Sequence, residues 1–355
     1  MPIQTLGMDA PIDTNDIISQ NAVILPHRHS EPPRLTIEGY ERRSESPVVK
    51  YFFYSLTLAA GLIFAAGPEN AGAAPRVVAS IKPIHSLVAG VMDGIGTPML
   101  LVKGGASPHS YAMKPSEARA LRDADLVFWI GAPLETFLPK ALNAHAPKNS
   151  AVELSKAAGV KLLGVRHRGA AIGHASHRHA HGAENMHLWL DPVNAKAMAT
   201  AIGQALARID PKNSSRYRAN AKTVRGRLGA LDISLHRALA AVMTTPYIVF
   251  HDAYPYFERR YGLKNLGSIA ISPEAKPGAK RIYEMRQILL SAGAVCVFRE
   301  PQFEPALVNT IVRGTKTHIG VLDPLGAGIK PGKDAYFTIL RDLAQSLKRC
   351  LQRSF

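Results

Sequence analysis

Three histidines and one aspartate follow short apolar runs of the sequence or precede a predicted helix. His109 follows the run at residues 99–102, His187 begins the segment MHLWLDP, His251 follows YIVF and Asp323 follows HIGVL. Such runs are typical of buried strands, and α/β proteins bind ligands beyond the carboxyl ends of their strands. Three neutral imidazoles with a carboxylate or water satisfy tetrahedral Zn²⁺. The sequence therefore predicts a zinc site. Three separate structural histidines are the alternative, because intervals of 78, 64 and 72 residues form no motif.

Histidine is also concentrated in one segment of the chain, residues 166–185. This segment is rich in Gly and Ala, shows no periodicity, and holds five of the 14 histidines within fifteen residues: His167, His174, His177, His179 and His181. A tract with this bias is typical of metal binding. We expect a surface loop inserted in the first half of the chain. Secondary, weaker metal sites are predicted among His174, His177, His179 and His181, with a solvated loop that binds no metal as the alternative.

The elements that must position these side chains follow a repeating pattern. Short apolar runs alternate with helical stretches, which predicts βα units and mostly parallel sheets covered by helices. The predicted strands are residues 77–81, 99–102, 125–130 and 151–154, then residues 247–250, 266–271, 294–298 and 318–322. Between these two sets lies a predicted helix at about residues 213–242, without an interior proline and about 45 Å long. The predicted fold class is α/β, with two βα-repeat lobes joined by a long rigid helix and the metal site in the cleft between them.

An uncharged apolar segment lies near the amino terminus. Residues 51–68 follow Arg42, Arg43 and Lys50 and lead into a small-x-small pattern at residues 71–73. This order is typical of a cleavable secretory signal peptide. An uncleaved membrane anchor is the alternative, although about 16 apolar residues span only about 24 Å as a helix.

The domain organisation follows from these segments. The predicted units are a polar extension at 1–47, in which the translation start is open to question, a signal peptide at 48–74, an N-terminal lobe at 75–212, a linking helix at 213–243 and a C-terminal lobe at 244–355. Export would place the protein in an oxidising compartment. There Cys296 and Cys350 can form a disulfide or remain two separate thiols.

The chain is strongly basic. Its 43 Lys+Arg and 27 Asp+Glu give a net charge of +16, and residues 76–355 alone carry 38 − 19 = +19. These cations form no consecutive run and no basic motif interleaved with aromatic residues. No nucleic-acid partner is therefore predicted, and the charge is interpreted as a solvated basic surface.

Several motifs together resemble a known family. In unbroken order from residue 76 to about 350, the chain contains VASIKPIHSLVAGVM, VKGGASPHSYAMKPSEARALRDADLVFWIG, MHLWLDPVNA, YIVFHDAYPYFERRYGL, CVFREPQFEPALV and GVLDPLGAGI. These segments resemble the periplasmic zinc receptors of bacterial ABC importers, in the cluster A-I family of solute-binding proteins. The resemblance implies two α/β lobes joined by one long rigid helix, with the metal bound between them.

The resemblance also implies roles for individual residues. The three imidazole ligands fall on His109, His187 and His251, and the histidine at the third position favours zinc over manganese. Asp323 falls close to the metal, where it binds directly or through water. Some relatives have an acidic residue just before the first histidine, but this chain has Pro108. This departure leaves the fourth ligand open between Asp323 and water.

Two further implications concern residues outside the ligand set. The resemblance pairs Cys296 with Cys350 in a disulfide. It places Glu300 near the cleft, where it either orients an imidazole or forms a surface salt bridge.

The function implied by the resemblance is capture of Zn²⁺ as a transported ligand in the periplasm. The expected partners are the membrane permease of a zinc ABC importer and the cytoplasmic ATPase that powers it, and the protein is expected to be monomeric and not an enzyme. The alternatives are a Mn²⁺ or Ni²⁺ receptor, a periplasmic metal buffer and a zinc hydrolase. The hydrolase is disfavoured because the sequence has no H-E-x-x-H motif.

Overall fold

A computed structural model describes residues 73–145, 150–166, 184–270 and 277–353. The predicted extension and all but the last two residues of the predicted signal peptide lie outside these residues, as do His167, His174, His177, His179 and His181. Among the described residues, no helix is both long enough and apolar enough to cross a membrane.

The N-terminal lobe contains a four-stranded parallel sheet. Its strands are β1 (Val77–Ala79), β2 (Met99–Leu100), β3 (Leu126–Trp129) and β4 (Ala151–Glu153), in the spatial order β2-β1-β3-β4. The helices of this lobe are α1 (Lys82–Val91), α2 (Pro115–Arg122), α3 (Leu138–His145) and α4 (Pro192–Ile209). All residues of β1 and β3 are buried, as expected for parallel strands covered on both faces.

The C-terminal lobe repeats this arrangement. Its strands are β7 (Tyr247–His251), β8 (Asn265–Ala270), β9 (Cys296–Arg299) and β10 (His318–Val321), all parallel and in the order β10-β9-β7-β8. Its helices are α6 (Pro255–Tyr261), α7 (Ala279–Ser291), α8 (Ala306–Val312) and α9 (Ala335–Leu351). The predicted α/β class with two parallel-sheet lobes is confirmed.

The long helix α5 (Ser214–Leu239) lies between the two sets of strands, as predicted. Its 26 residues span about 39 Å. Its buried apolar positions recur at three- and four-residue intervals: Tyr217, Ala221, Val224, Leu228, Leu231, Leu235 and Leu239. This face packs against α4 and α1 of the N-terminal lobe and against α9 of the C-terminal lobe. The linking helix is therefore packed into both lobes along its length.

Two short strands lie beside the histidine-rich segment. β5 (Leu163–Gly164) pairs antiparallel with β6 (Glu184–Asn185), so that Leu163 faces Asn185. The sequence prediction placed residues 184 and 185 in a loop, and this part of the prediction is wrong. A strand of two residues is too short to show a hydrophobic alternation, which explains the error.

A disulfide joins Cys296, the first residue of β9, to Cys350 in α9, with the two Cα atoms 6.2 Å apart. Both cysteines are buried. The predicted pairing is confirmed, and it fastens the last helix to the central part of the second sheet.

Candidate metal centre

The three predicted histidine ligands converge from both lobes. His109 lies in the loop between β2 and α2, and His187 lies two residues after β6, directly before a 3-10 turn at Leu188–Leu190. His251 is the last residue of β7 in the C-terminal lobe. Their ring nitrogens form a group whose ligand atoms all lie within 4.8 Å of one another. The expected convergence beyond the strand ends is thus present in the structure.

The spacing of the imidazole nitrogens matches a small tetrahedral ion. The Nε2 atom of His187 lies 3.3 Å from Nε2 of His109 and 3.2 Å from Nε2 of His251. Zn–N bonds of 2.0–2.1 Å place the nitrogens of a tetrahedral site about 3.3 Å apart. His187 and His251 are buried, while His109 is partly exposed.

Asn185 fixes the tautomer of His187. Its Nδ2 donates to the carbonyl of Asp252 at 2.6 Å, so its Oδ1 must face His187. This oxygen accepts from the backbone N–H of His187 and from its Nδ1–H, both at 3.0 Å. A neutral His187 therefore carries its proton on Nδ1 and presents the lone pair of Nε2 to the other two histidines.

Glu300 likewise accepts a hydrogen bond from the Nδ1–H of a proposed ligand, His251. The Nδ1–H of His251 donates to Oε1 of Glu300 at 2.6 Å, and Glu300 is 1% exposed. A surface salt bridge, the alternative considered for Glu300, does not fit this burial. When both rings are neutral, the two Nε2 lone pairs face each other 3.2 Å apart, which is unfavourable unless a cation lies between them. This donor set fits a bound metal ion.

The electrostatic environment keeps His187 neutral. Burial lowers the pKa of His187 well below its usual value, and the charges of His251 and His109 lower it further. A neutral imidazole is the form that binds a metal.

Asp323 is not a member of the three-histidine group. Its Oδ1 accepts from Gln302 Nε2 at 2.8 Å and from the backbone N–H groups of Leu325 at 3.2 Å and Gly326 at 2.8 Å. Its Oδ2 accepts from the N–H of Ala327 at 2.5 Å. As a metal ligand Asp323 stays a prediction, and binding would compete with these contacts.

A pocket encloses the histidine group, with walls from both lobes. It is lined by Ser107, Pro108, His109, His187, Trp189, His251, Glu300, Gln302, Phe303, Pro324 and Leu325. Trp189 donates from Nε1 to the carbonyl of Pro324 at 3.0 Å and so ties the two walls together. The predicted position of the site, in the cleft between the lobes, agrees with this pocket.

The sequence interpretation missed Asn185. The available signal was an Asn two residues before a candidate ligand, a spacing at which an Asn side chain commonly accepts from the backbone N–H two positions on. Its second contact could not be found in this way, because Asp252 is 67 residues away along the chain.

Comparison with known proteins identifies the family. The profile described as "ZnuA: Zinc-uptake complex component A periplasmic" matches residues 77–350. The chain belongs to this family. The resemblance drawn from the motifs is therefore confirmed.

Individual relatives agree with this assignment. The "High-affinity zinc uptake system protein ZnuA" of Brucella suis biovar 1 (strain 1330) is 42% identical over 330 residues, covering 84% of this chain and 99% of the relative. The protein of the same description from Yersinia pestis is 38% identical over 307 residues, covering 82% and 96%. A crystal structure of a ZnuA deletion mutant with zinc bound superposes with a TM-score of 0.66 at 25% identity, covering 79% of this chain and 100% of that one.

Proposed function

We propose that this protein is a periplasmic receptor that captures Zn²⁺ between its lobes and delivers it to the permease of an ABC importer. The observation that carries the proposal is the group of His109, His187 and His251, in which Nε2 of His187 lies 3.3 Å and 3.2 Å from the Nε2 atoms of the other two, close to the separation in tetrahedral zinc sites. The zinc-uptake description of the family and of the Brucella relative supports it.

The composition of the group favours zinc over manganese. Imidazole suits Zn²⁺, Cu²⁺ and Ni²⁺, while Mn²⁺ prefers carboxylates, and the group contains none. The direct test is competitive titration of the purified protein with a chromophoric chelator. We expect Zn²⁺ to bind more tightly than Mn²⁺ and His251→Ala to lose high-affinity binding. Preferred binding of Mn²⁺ or Ni²⁺ would instead support the alternative receptor.

The family description, a periplasmic component of a zinc-uptake complex, supports delivery to a membrane importer. In this proposal residues 48–74 direct export, and the monomeric receptor docks on a permease that a cytoplasmic ATPase powers. Deletion of the gene should slow growth under zinc limitation, and added zinc should restore it. Normal growth of the deletion strain would favour a periplasmic buffer.

A zinc hydrolase is the alternative of a different class, since three histidines and an open position are also catalytic geometry. Such an enzyme needs a general base beside the bound water. Glu300 contacts His251, and Asp323 accepts from backbone amides, so neither carboxylate is free for this role. Hydrolysis of esters or peptides by the zinc-loaded protein, abolished by His251→Ala, would contradict the receptor proposal.

The histidine-rich segment contributes further sites in this proposal. His174, His177, His179 and His181 would bind additional zinc weakly. The test is the zinc stoichiometry of a variant that lacks residues 167–183. A stoichiometry equal to that of the full chain would contradict the idea.

The packing of the long helix predicts a small conformational change on metal binding. α5 contacts helices of both lobes, so a wide hinge motion would break an apolar interface. Small-angle scattering should therefore show almost the same radius of gyration with and without zinc.

A further inference from the structure

Lys82 is a buried cation that reaches from one lobe to the other. It is the first residue of α1 in the N-terminal lobe and is 4% exposed. Its Nζ donates to the backbone carbonyls of Gly326 and, at 3.2 Å, of Ala327, in the loop that follows β10. Burial lowers the pKa of Lys82, while the charge of Asp323 opposes this shift. Lys82 is not a metal ligand and has no part in the proposed function as stated above.

The loop held by Lys82 is also the loop that holds Asp323. The peptide group between Gly326 and Ala327 connects the two side chains: its carbonyl accepts from Lys82, and its N–H donates to Asp323 Oδ2 at 2.5 Å. A hydrogen bond at the carbonyl end polarises a peptide group and strengthens the donor at its other end. Lys82 therefore strengthens the bond that retains the Asp323 carboxylate.

The conformation of this loop depends on a glycine. Gly326 has φ +66°, in the left-handed region, and a Cβ atom there would lie 2.6 Å from Cγ1 of Ile339. The loop also forms part of the metal pocket through Pro324 and Leu325, but Asp323 itself does not line that pocket. The carboxylate is thus held by amides of its own loop and by Gln302, next to the metal site.

We propose that Lys82 is a positioning residue that keeps Asp323 bound to its loop amides and out of the metal's coordination sphere. This inference rests on the proposed zinc-receptor function and names what sets the metal preference of that site. With Asp323 retained, the metal has three imidazoles and an exchangeable water, a donor set that favours zinc. With Asp323 released, a carboxylate would join the ligands and favour Mn²⁺.

The test compares metal preference in Lys82→Met and in the unaltered protein. Methionine keeps an unbranched apolar chain of similar length but removes the charge and the donors. We expect the ratio of Mn²⁺ to Zn²⁺ dissociation constants to fall by about tenfold, equivalent to ~1.4 kcal/mol. The visible spectrum of bound Co²⁺ should also change, because a carboxylate replaces water. Loss of stability alone would not shift both readouts in this way.

Two further variants isolate the cause. Lys333→Met is the matched control, because Lys333 is a largely exposed lysine whose Nζ contacts Asp93 of the other lobe at 2.9 Å. It should leave the Mn²⁺ to Zn²⁺ ratio and the Co²⁺ spectrum unchanged. In the double variant Lys82→Met/Asp323→Asn, the ratio and spectrum should return towards those of the unaltered protein.

The proposal is overturned if Lys82→Met binds zinc with an unaltered ratio and Co²⁺ spectrum, or if its altered values persist in the double variant. Should Lys82→Met fail to fold, Lys82→Gln, which keeps one donor without the charge, gives the same comparison. Failure of the receptor proposal is distinguishable, because the unaltered protein would then bind no zinc.

Discussion

The side-chain oxygen of Asn185 accepts both the backbone N–H and the Nδ1–H of His187, each at 3.0 Å. The same Asn185 donates to the carbonyl of Asp252, the residue after His251. One amide therefore orients one proposed ligand and links it to the chain segment that carries another. Loss of a hydrogen bond that orients a metal ligand typically lowers metal affinity by about 10- to 100-fold, and we expect a loss in this range when the Asn185 contact with His187 is removed.

Asn185→Ala should accordingly weaken zinc binding by about 10- to 100-fold, because His187 loses its fixed tautomer and orientation. Asn185→Asp retains the acceptor and should recover part of the loss. Asn220→Ala is the control, since Asn220, like Asn185, donates to the backbone, here to the carbonyls of Val91 and Asp93, but lies outside the metal pocket. Equal zinc affinities for Asn185→Ala and Asn220→Ala in chelator competition would contradict the role of Asn185.

Glu300 should have a comparable effect through His251. Removal of the buried carboxylate in Glu300→Ala leaves Nδ1 of His251 without its 2.6 Å acceptor and is expected to lower zinc affinity by about 10- to 100-fold. Glu300→Gln keeps an acceptor oxygen but not the charge, and an intermediate affinity is expected. Glu284→Gln, at a more exposed position on α7, serves as the control. An affinity of Glu300→Ala equal to that of the control would exclude the positioning role.

The sequence predicts most of the fold because its signal is local. β7 was predicted at residues 247–250 from a short apolar run, and the structure has it at Tyr247–His251 with every residue buried. The long helix was predicted to about residue 242, whereas α5 ends at Leu239 and continues as a 3-10 turn at Ala240–Val242. Helix ends fray and their last turn is often a 3-10 turn, so small differences in the position of a helix end are expected.

The candidate site could be predicted only in part. His251 ends a strand, His187 precedes a helix start and His109 lies in a loop that follows a strand, positions from which convergence can be inferred. The roles of Asn185 and Lys82 depend on contacts with Asp252 and Gly326, which are far away in the sequence. No local pattern encodes these contacts, since only the completed fold brings the partners together.

The Cys296–Cys350 disulfide should contribute to stability and not to metal binding. The bond closes a loop with a sequence separation of 54 residues and fastens α9 to β9. In the double variant Cys296→Ala/Cys350→Ala, the free energy of unfolding should fall by about 2–4 kcal/mol, chiefly because the unfolded chain is less constrained. Urea unfolding of the metal-free protein measures this change. The double variant should bind zinc with unchanged affinity, and an unfolding free energy equal to that of the native disulfide form would contradict the prediction.

Glu135 should make the stability of the N-terminal lobe depend on pH. Burial raises its pKa to about 7, although Ser80 and the backbone N–H groups of Ile130 and Gly131 donate to its carboxyl group and oppose the shift. Between about pH 4.5 and pH 7, Glu135 therefore keeps its proton in the folded protein, whereas it has lost this proton in the unfolded chain. The stabilisation is complete below this window and is lost as the pH rises through it, by on the order of 3 kcal/mol.

Glu135→Gln should remove this loss of stability. The measurement is urea unfolding of the metal-free protein at several pH values across that window, compared between the variant and the unaltered chain. Glu304→Gln, at an exposed position, controls for the change of net charge. If Glu135→Gln and Glu304→Gln show the same pH dependence, Glu135 does not titrate in this range.

Zinc affinity should fall at acidic pH because protons compete for the imidazoles. An ordinary imidazole has a pKa near 6.5. Burial, with the charges of His251 and His109, lowers the pKa of His187 well below that value. His187 therefore stays neutral in the fold after it has become protonated in the unfolded chain, so the metal-free protein loses stability as the pH falls below about 6.5. Because zinc requires neutral rings, its dissociation constant should rise as the pH falls into the range where the rings become protonated, and the lowered pKa of His187 places its own contribution below the usual imidazole range.

Chelator competition across this pH range measures the effect, after correction for protonation of the chelator itself. His85→Gln provides a matched control: His85 is also buried and burial lowers its pKa, but its Nε2 contacts the carbonyl of Pro98 at 3.0 Å and it does not line the metal pocket. The pH profile of zinc affinity should be the same in His85→Gln as in the unaltered protein, because the competing protons bind at the three-histidine group. A zinc affinity that stays constant from neutral pH down to the pH at which the protein unfolds would mean that imidazoles do not hold the ion.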